Sequence, residues 1–220
     1  MPHIRQEETR RFSSAMLPTR VQARSADKRQ QILQAAARLF MSQGFGTTSM
    51  DAVAREAGVS KATVYAHFEG KEALFAANVG VECEKLRAAL TPPDEDVSDV
   101  EAMLRQFGTA FIALVYGPKG IAVYRIMTAE AERFPELGRA FYEAGPARVL
   151  AALSTLLERA AGRGLLDLAD PREAAEQFIA LMRGERHLRQ LLGIAASPGP
   201  EEKARLLDEA VRVFLKAYAK

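Results

Sequence analysis

Thr48-Ser-Met-Asp-Ala-Val-Ala-Arg-Glu-Ala-Gly58-Val-Ser-Lys-Ala-Thr-Val-Tyr-Ala-His-Phe68 reads as two short helices separated by a tight turn. Thr48 is placed to cap the first helix, with Asp51 three residues on as the acidic member of a capping box. Gly58 stands where that helix must stop and the backbone must take a positive φ, which glycine tolerates best. Ser60 then caps the second helix over Lys61, Ala62 and Thr63. Ala54 is small enough for two helices to cross closely, and Val53, Val59 and Val64 are spaced to fill the gap between them. An ordinary helical hairpin would show the same turn. The pattern is also that of a helix-turn-helix, whose second helix lies in the DNA major groove.

The flanks favour the second reading. Upstream, residues 27–43 carry Ile32, Ala36, Leu39 and Phe40 at i, i+4, i+7 and i+8, one apolar stripe ended by Gly44 and Gly46. Downstream, Glu69-Gly70 breaks the chain before a helix that opens at Lys71 and starts its apolar side with Leu74 and Phe75. It runs to about Leu90, where Thr91-Pro92-Pro93-Asp94 stops it. Residues 1–25 hold Arg5, Arg10, Arg11, Arg20 and Arg24 among polar residues and Pro18. They read as a flexible basic arm suited to phosphates or the minor groove, while a tail with no role fits residues 1–18 equally well.

After the Pro-rich turn only helical periodicity is found. Ser98-Asp99-Val100-Glu101 is a capping box opening a helix with Met103, Leu104, Phe107, Phe111 and Leu114, which Gly117-Pro118 ends. Further helices are expected over residues 120–132, 135–144, from 146 to near 162–164, 170–192 and 201–219, punctuated by Pro135, Gly145-Pro146, Asp170-Pro171 and Pro198-Gly199-Pro200. No stretch alternates with period two. The fold class is all-α, with a small three-helix head over residues 26–75 and a larger helical domain over 76–220.

The chain has 220 residues, 48% hydrophobic and 26% charged, enough apolar content for a substantial core. No uninterrupted apolar run approaches the roughly 20 residues a bilayer span needs, so no membrane partner is expected. Met1 to Arg11 lacks the apolar segment of a secretory signal, and the single cysteine, Cys83, cannot form an internal disulfide; a cytoplasmic location is expected. Residues 1–75 carry 11 Lys/Arg and 7 Asp/Glu, a balance of +4, against −2 for the remainder. A basic first third points to nucleic acid at that end. His3, His67 and His187 lie far apart and have no cysteine spacing to join, so neither a metal nor a cofactor is expected. The carboxylates fall on polar helix faces or at caps, no Gly-rich phosphate loop or Gly-x-Ser-x-Gly is present, and an enzyme is not expected.

Ile32-Leu33 with Ala35-Ala36, Leu39-Phe40, Gly44, Thr48-Ser49-Met50-Asp51, Val53-Ala54, Glu56 through Tyr65, His67-Phe68 and Lys71-Glu72-x-Leu74-Phe75 resemble the N-terminal domain of the TetR/AcrR family of bacterial transcriptional regulators. Glu132-Arg133-Phe134-Pro135-Glu136-Leu137, the Gly145-Pro146 break, Gly164-Leu165-Leu166 and Asp170-Pro171 before Ala174-Ala175 and Phe178 resemble the AefR-like type of C-terminal domain. The resemblance implies a homodimer that reads a near-palindromic double-stranded DNA operator, and repression relieved by a small molecule. It also implies phosphate contacts for Tyr65 and Lys71. Ala62 departs mildly from the glycine often found at that position in the family.

Residue chemistry adds to these roles. Ser60 and Lys61 sit at a helix N-terminus, where free N–H groups and the macrodipole favour phosphate. Ala62 permits close approach and can meet a thymine methyl, and Thr63 is a candidate base reader. Tyr65 is either a phosphate contact or a core aromatic, and His67 either a phosphate donor or a helix-end cap. Thr48 and Ser49 can add hydroxyl contacts, with Arg24 and Lys28 completing the expected DNA-binding set.

In the larger domain Met103, Phe107, Phe111, Tyr124, Met127 and Phe141 are suited to line a pocket for a small apolar or aromatic effector, though ordinary core packing explains each of them too. Cys83 is either a buried filler or a redox sensor. The last two helices have apolar arcs too wide for one stripe, which predicts a four-helix dimer interface through Ala175, Ile179, Met182, Leu207, Val211 and Phe214. Three functions compete: a ligand-released repressor, a partner-sensing or activating regulator without a small ligand, and an enzyme with a DNA-binding appendage.

Overall fold

The computed structural model describes residues 20–90 and 99–220, with side chains for 25–84 and 99–220. Ten helices are present among the described residues: α1 (Arg20–Gln43), α2 (Met50–Glu56), α3 (Lys61–His67), α4 (Lys71–Leu90), α5 (Val100–Val115), α6 (Pro118–Glu130), α7 (Pro135–Ala144), α8 (Pro146–Gly162), α9 (Pro171–Leu191) and α10 (Pro200–Tyr218). A single antiparallel bridge, Leu166 to Ala219, is the one extended pairing in that range. The all-α reading holds. Residues 20–25 belong to α1 and not to a flexible arm, which corrects that boundary; Arg5, Arg10 and Arg11 lie outside the described residues.

The head is built from local signals. Gly44 (φ 83°) and Gly58 (φ 65°) take the left-handed conformation that ends α1 and α2. Ser60 caps α3, its Oγ accepting from the Thr63 N–H at 3.1 Å. The cap of α2 is Ser49, accepting from the Ala52 N–H at 3.1 Å, and not Thr48. The chain folds back after Gly44, so Thr48 is turned inward, 2% exposed, and donates to the Gly44 carbonyl at 2.8 Å. Ile32, Phe40, Phe45, Val53, Val64, Leu74 and Phe75 form the core. Phe45 meets Phe40, Phe75 and Phe134 at ring separations of 5.5–5.7 Å. Met127 and Leu137 extend this core, so apolar packing runs unbroken from the head into α6 and α7.

In the larger domain α6 to α10 each begin with proline, whose fixed φ and missing N–H suit a first helical turn. Asp99 caps α5 and Asp170 caps α9. The core centres on Phe107, Phe178 and Phe214, with Phe178 edge-on to Phe214 at 5.2 Å. Gly108 lets α5 and α10 cross closely, because a Cβ there would collide with Leu207 Cδ1. Inside α9, Gly184 adopts φ 51°, ψ −167° and breaks the helix. The break strips the Met182 and Arg183 carbonyls of their helical partners. The buried Tyr116 hydroxyl lies 3.1 and 2.7 Å from them and donates its one proton chiefly to the nearer Arg183 carbonyl.

The burial pattern corrects the expected dimer interface. Ala175, Met182, Val211 and Phe214 are 0–1% exposed and Leu207 is 9% exposed, all inside the subunit's own core. The wide arc of α10 arises because it packs against both α5 and α9. Besides Met41, Tyr65 and Tyr142, the large apolar side chains left outside among the described residues lie on and just after α9: Leu181, Leu188, Leu192 and Ile194, 40–66% exposed.

Candidate nucleic-acid interface and ligand cavity

Helix α3 presents Lys61, Ala62, Tyr65 and Ala66 outward, at i, i+1, i+4 and i+5. Tyr65 is 47% exposed and is therefore not a core aromatic. Ala66 was not singled out from the sequence, although its spacing from Ala62 places it on this face. Thr63 and His67 are half-buried at the edges of the face, and the Thr63 hydroxyl sits 2.8 Å from Ser60 Oγ. Ser49 and Ser60 are exposed at the two helix starts, each with its hydroxyl engaged in capping. Lys28 is exposed on α1; Arg24 lies on the same helix with its side chain outside the described residues. Thr48 is buried and is removed from the contact set.

Lys61 is held by Asp51 across the turn at 2.8 Å, and that hydrogen bond raises its pKa. Both side chains are exposed, so the pair can open to give Lys61 to a phosphate. Asp51→Asn is expected to tighten DNA binding by about two- to fivefold and to steepen the dependence of log affinity on log salt. An anisotropy titration over a salt series reads both; a weaker complex would show that Asp51 positions Lys61 for DNA.

Lys71, expected as a phosphate clamp, is engaged within the head instead of being held outward. Its ammonium turns inward, donates to the Phe45 carbonyl at 2.8 Å and the Gly46 carbonyl at 3.3 Å, and lies 4.3 Å from the Phe45 ring centroid. Burial lowers its pKa, against the raising pull of Glu72 and Glu130. Glu130 in turn accepts from the Gly46 N–H at 3.2 Å, so the α1–α2 turn is gripped by the start of α4 and the end of α6. Lys71→Met should cost about 2 kcal/mol of stability in chemical denaturation while leaving the salt slope of DNA binding unchanged. A shallower slope with unaltered stability would restore the clamp.

A cavity of about 500 Å³ lies between the head and the larger domain, within the range of small-molecule sites. Its walls come from α1 (Ala37, Phe40, Met41) and from α4 through α9. Of the expected pocket residues, Phe111, Tyr124 and Phe141 line it. Met103, Phe107 and Met127 do not; they are 9%, 0% and 6% exposed and fill cores. Ile179, expected at the dimer interface, lines the cavity instead. Sequence reading missed Val123, Ile126 and Leu114, apolar positions on the same helix faces, and above all Arg183.

Arg183 donates from Nη2 to the Tyr124 hydroxyl, and its guanidinium carbon lies 5.1 Å from the Tyr124 and 5.8 Å from the Phe111 ring centroid. Burial raises the Tyr124 pKa, so the phenol stays protonated at neutral pH. His187 packs edge-on against Tyr124 at 5.4 Å, and burial, with Arg183 adding to it, lowers its pKa and favours the neutral ring. Burial pushes the Cys83 thiol up to about 11, which disfavours the reactive thiolate of a redox sensor. Among the described residues no group of three or more His, Cys, Asp or Glu is placed to hold a metal, and no single helix is long and apolar enough to cross a membrane.

Comparison with known proteins agrees with this geometry. Residues 32–77 match the model of bacterial regulatory proteins of the tetR family, and residues 102–220 match the C-terminal domain of AefR-like transcriptional repressors. Among solved structures, the flavonoid-responsive regulator FrrA is 40% identical, with 88% of this chain and 98% of that chain covered and a TM-score of 0.72. A TetR-family transcriptional regulator from Pseudomonas syringae pv. tomato is 28% identical, with 88% and 97% covered and a TM-score of 0.67. The HTH-type transcriptional regulator UidR of Escherichia coli K12 is 31% identical over 117 residues, which span 53% of this chain and 58% of UidR. A helix-turn-helix with an outward-facing α3, joined to an AefR-like helical domain, makes this chain a member of the tetR family of DNA-binding transcriptional regulators.

Proposed function

We propose that the protein is a homodimeric repressor that binds a palindromic operator and is released by a small, planar aromatic ligand. The observation that carries this reading is the cavity's position. One wall is α1, which belongs to the head, and another is α4, which runs from the head into the larger domain. A ligand that displaces Phe40, Met41 or Phe75 therefore acts on the helices that hold α3. Productive docking needs the two α3 helices about 34–36 Å apart, so a shift of a few ångström disfavours adjacent half-sites. The responsiveness of FrrA to flavonoids, stated in its name, supports an aromatic effector for this chain.

The subunits pair through the outer face of α9 beyond the Gly184 break, where Leu188 and Leu192 lie at i and i+4 and Ile194 follows. Exposed apolar side chains of this size so close in the chain mark an interaction surface, and such a patch meeting its copy across a twofold axis gives an isologous interface.

Calorimetric titration of 7-hydroxyflavone into free and operator-bound protein tests the release mechanism. Affinities must differ, and operator affinity must change by the same factor when ligand is present, because linkage is reciprocal. Equal ligand affinities in the two titrations would favour a regulator that senses a partner instead.

A further inference from the structure

The cavity wall contains a guanidinium with too few partners. Arg183 uses one of its five N–H donors on a described residue, the Tyr124 hydroxyl; its Nε is buried without a hydrogen-bond partner, and no described carboxylate pairs with it. The other charged side chains of the lining are matched: Lys119 meets Glu82 at 3.0 Å, and Glu176 meets Arg172 at 3.4 Å. The faces of Phe111 and Tyr124 stand over Arg183, and Ile179 and Val123 line the same cavity. Arg183 is half-buried, so solvent reaches part of the guanidinium, but its buried Nε lacks an acceptor that a group entering the cavity can supply. The Gly184 break follows directly, with the Arg183 carbonyl held by Tyr116, so the base of the side chain is fixed.

We infer that Arg183 and Tyr124 form the polar anchor of the cavity and select an aromatic ligand that carries an acidic hydroxyl, a phenol. This rests on the reading of the cavity as the effector site. The ligand's ring lies in the apolar space bounded by Phe111, Phe141 and Ile179, and its hydroxyl oxygen accepts from the Arg183 guanidinium. Tyr124, protonated because it is buried, donates to the same oxygen while accepting from Arg183. A phenol suits one guanidinium and one hydroxyl in an otherwise apolar space better than a strongly hydrated carboxylate, which brings a larger desolvation cost. Methylating the phenol replaces its proton with a carbon, which prevents ionisation opposite the guanidinium and adds bulk at the anchor.

The test uses 7-hydroxyflavone, 7-methoxyflavone and unsubstituted flavone, titrated into the full-length protein by calorimetry. The wild type should bind the hydroxyl compound about ten- to a hundredfold more tightly than the other two, as expected for a hydrogen bond to a charged group. Arg183→Met should bind all three with similar affinity. Arg183→Lys keeps the charge but loses the planar fork, and should keep a reduced preference. A selectivity ratio reports the anchor without depending on stability, which a purely structural role would alter equally for all three ligands. Equal wild-type affinities, an unchanged preference in Arg183→Met, or no binding of 7-hydroxyflavone would each overturn the proposal.

Anilinonaphthalene sulfonate, which fluoresces in apolar sites, separates this failure from failure of the effector-site reading. If Val123→Trp, which fills the cavity, abolishes its fluorescence while 7-hydroxyflavone does not bind, the cavity stands and the phenol anchor falls. If Val123→Trp changes neither dye fluorescence nor flavone binding, the effector-site reading itself falls.

Discussion

Phe214→Asp is expected to unfold the subunit, not merely to separate a dimer. Phe214 is 1% exposed, edge-on to Phe178 at 5.2 Å and 4.9 Å from the Tyr218 ring. Removing a buried phenylalanine costs about 3–5 kcal/mol, and a buried unpaired carboxylate costs several more. Against a typical total stability of about 5–15 kcal/mol, little remains. Circular dichroism should show lost helicity or a melting temperature far below that of the wild type. A folded monomer with native helix content would instead place Phe214 at the subunit boundary.

Leu188→Glu should do the opposite. Leu188 is 54% exposed on α9 and loses little burial within its own subunit, so the fold should persist. In the paired molecule the same carboxylate faces its twofold copy in an apolar contact, a like-charge pair without a partner. Sedimentation should show folded monomers. Operator affinity should fall by about a hundredfold or more, because a monomer loses the gain of holding two half-sites at once. An intact dimer would move the interface away from this face of α9.

The contrast between these two substitutions shows where the sequence was legible. The helix-turn-helix is encoded by residues close in the chain: Gly44, Gly58 and Ser60 set turns and caps whose partners lie within four positions. Even there one residue of shift mattered, since Ser49 caps α2 while Thr48 folds under the turn. The larger domain is different. Phe107 and Phe111 are one helical turn apart on α5, yet Phe107 lies in the core and Phe111 faces the cavity. Periodicity identifies an apolar face but not what covers it, which depends on helices far away in sequence. The same limit put Val211 and Phe214 at an interface and left Ile179 out of the pocket. Arg183 escaped notice because an arginine in an amphipathic helix reads as part of its solvated side. Lys71 looked like a phosphate contact because the aromatic rings and carbonyls that hold it are gathered by tertiary packing.

The central claim is that this chain reads a specific inverted repeat with the outer face of α3. Footprinting the purified protein along the DNA upstream of its own coding sequence tests it most directly, with the Tyr65→Ala protein run beside it. The wild type should protect one inverted repeat whose half-sites lie about one helical turn apart, roughly 34–36 Å centre to centre, and the variant should lose that protection at the same concentration. Uniform protection with no repeat, or an unchanged footprint in Tyr65→Ala, would contradict the account.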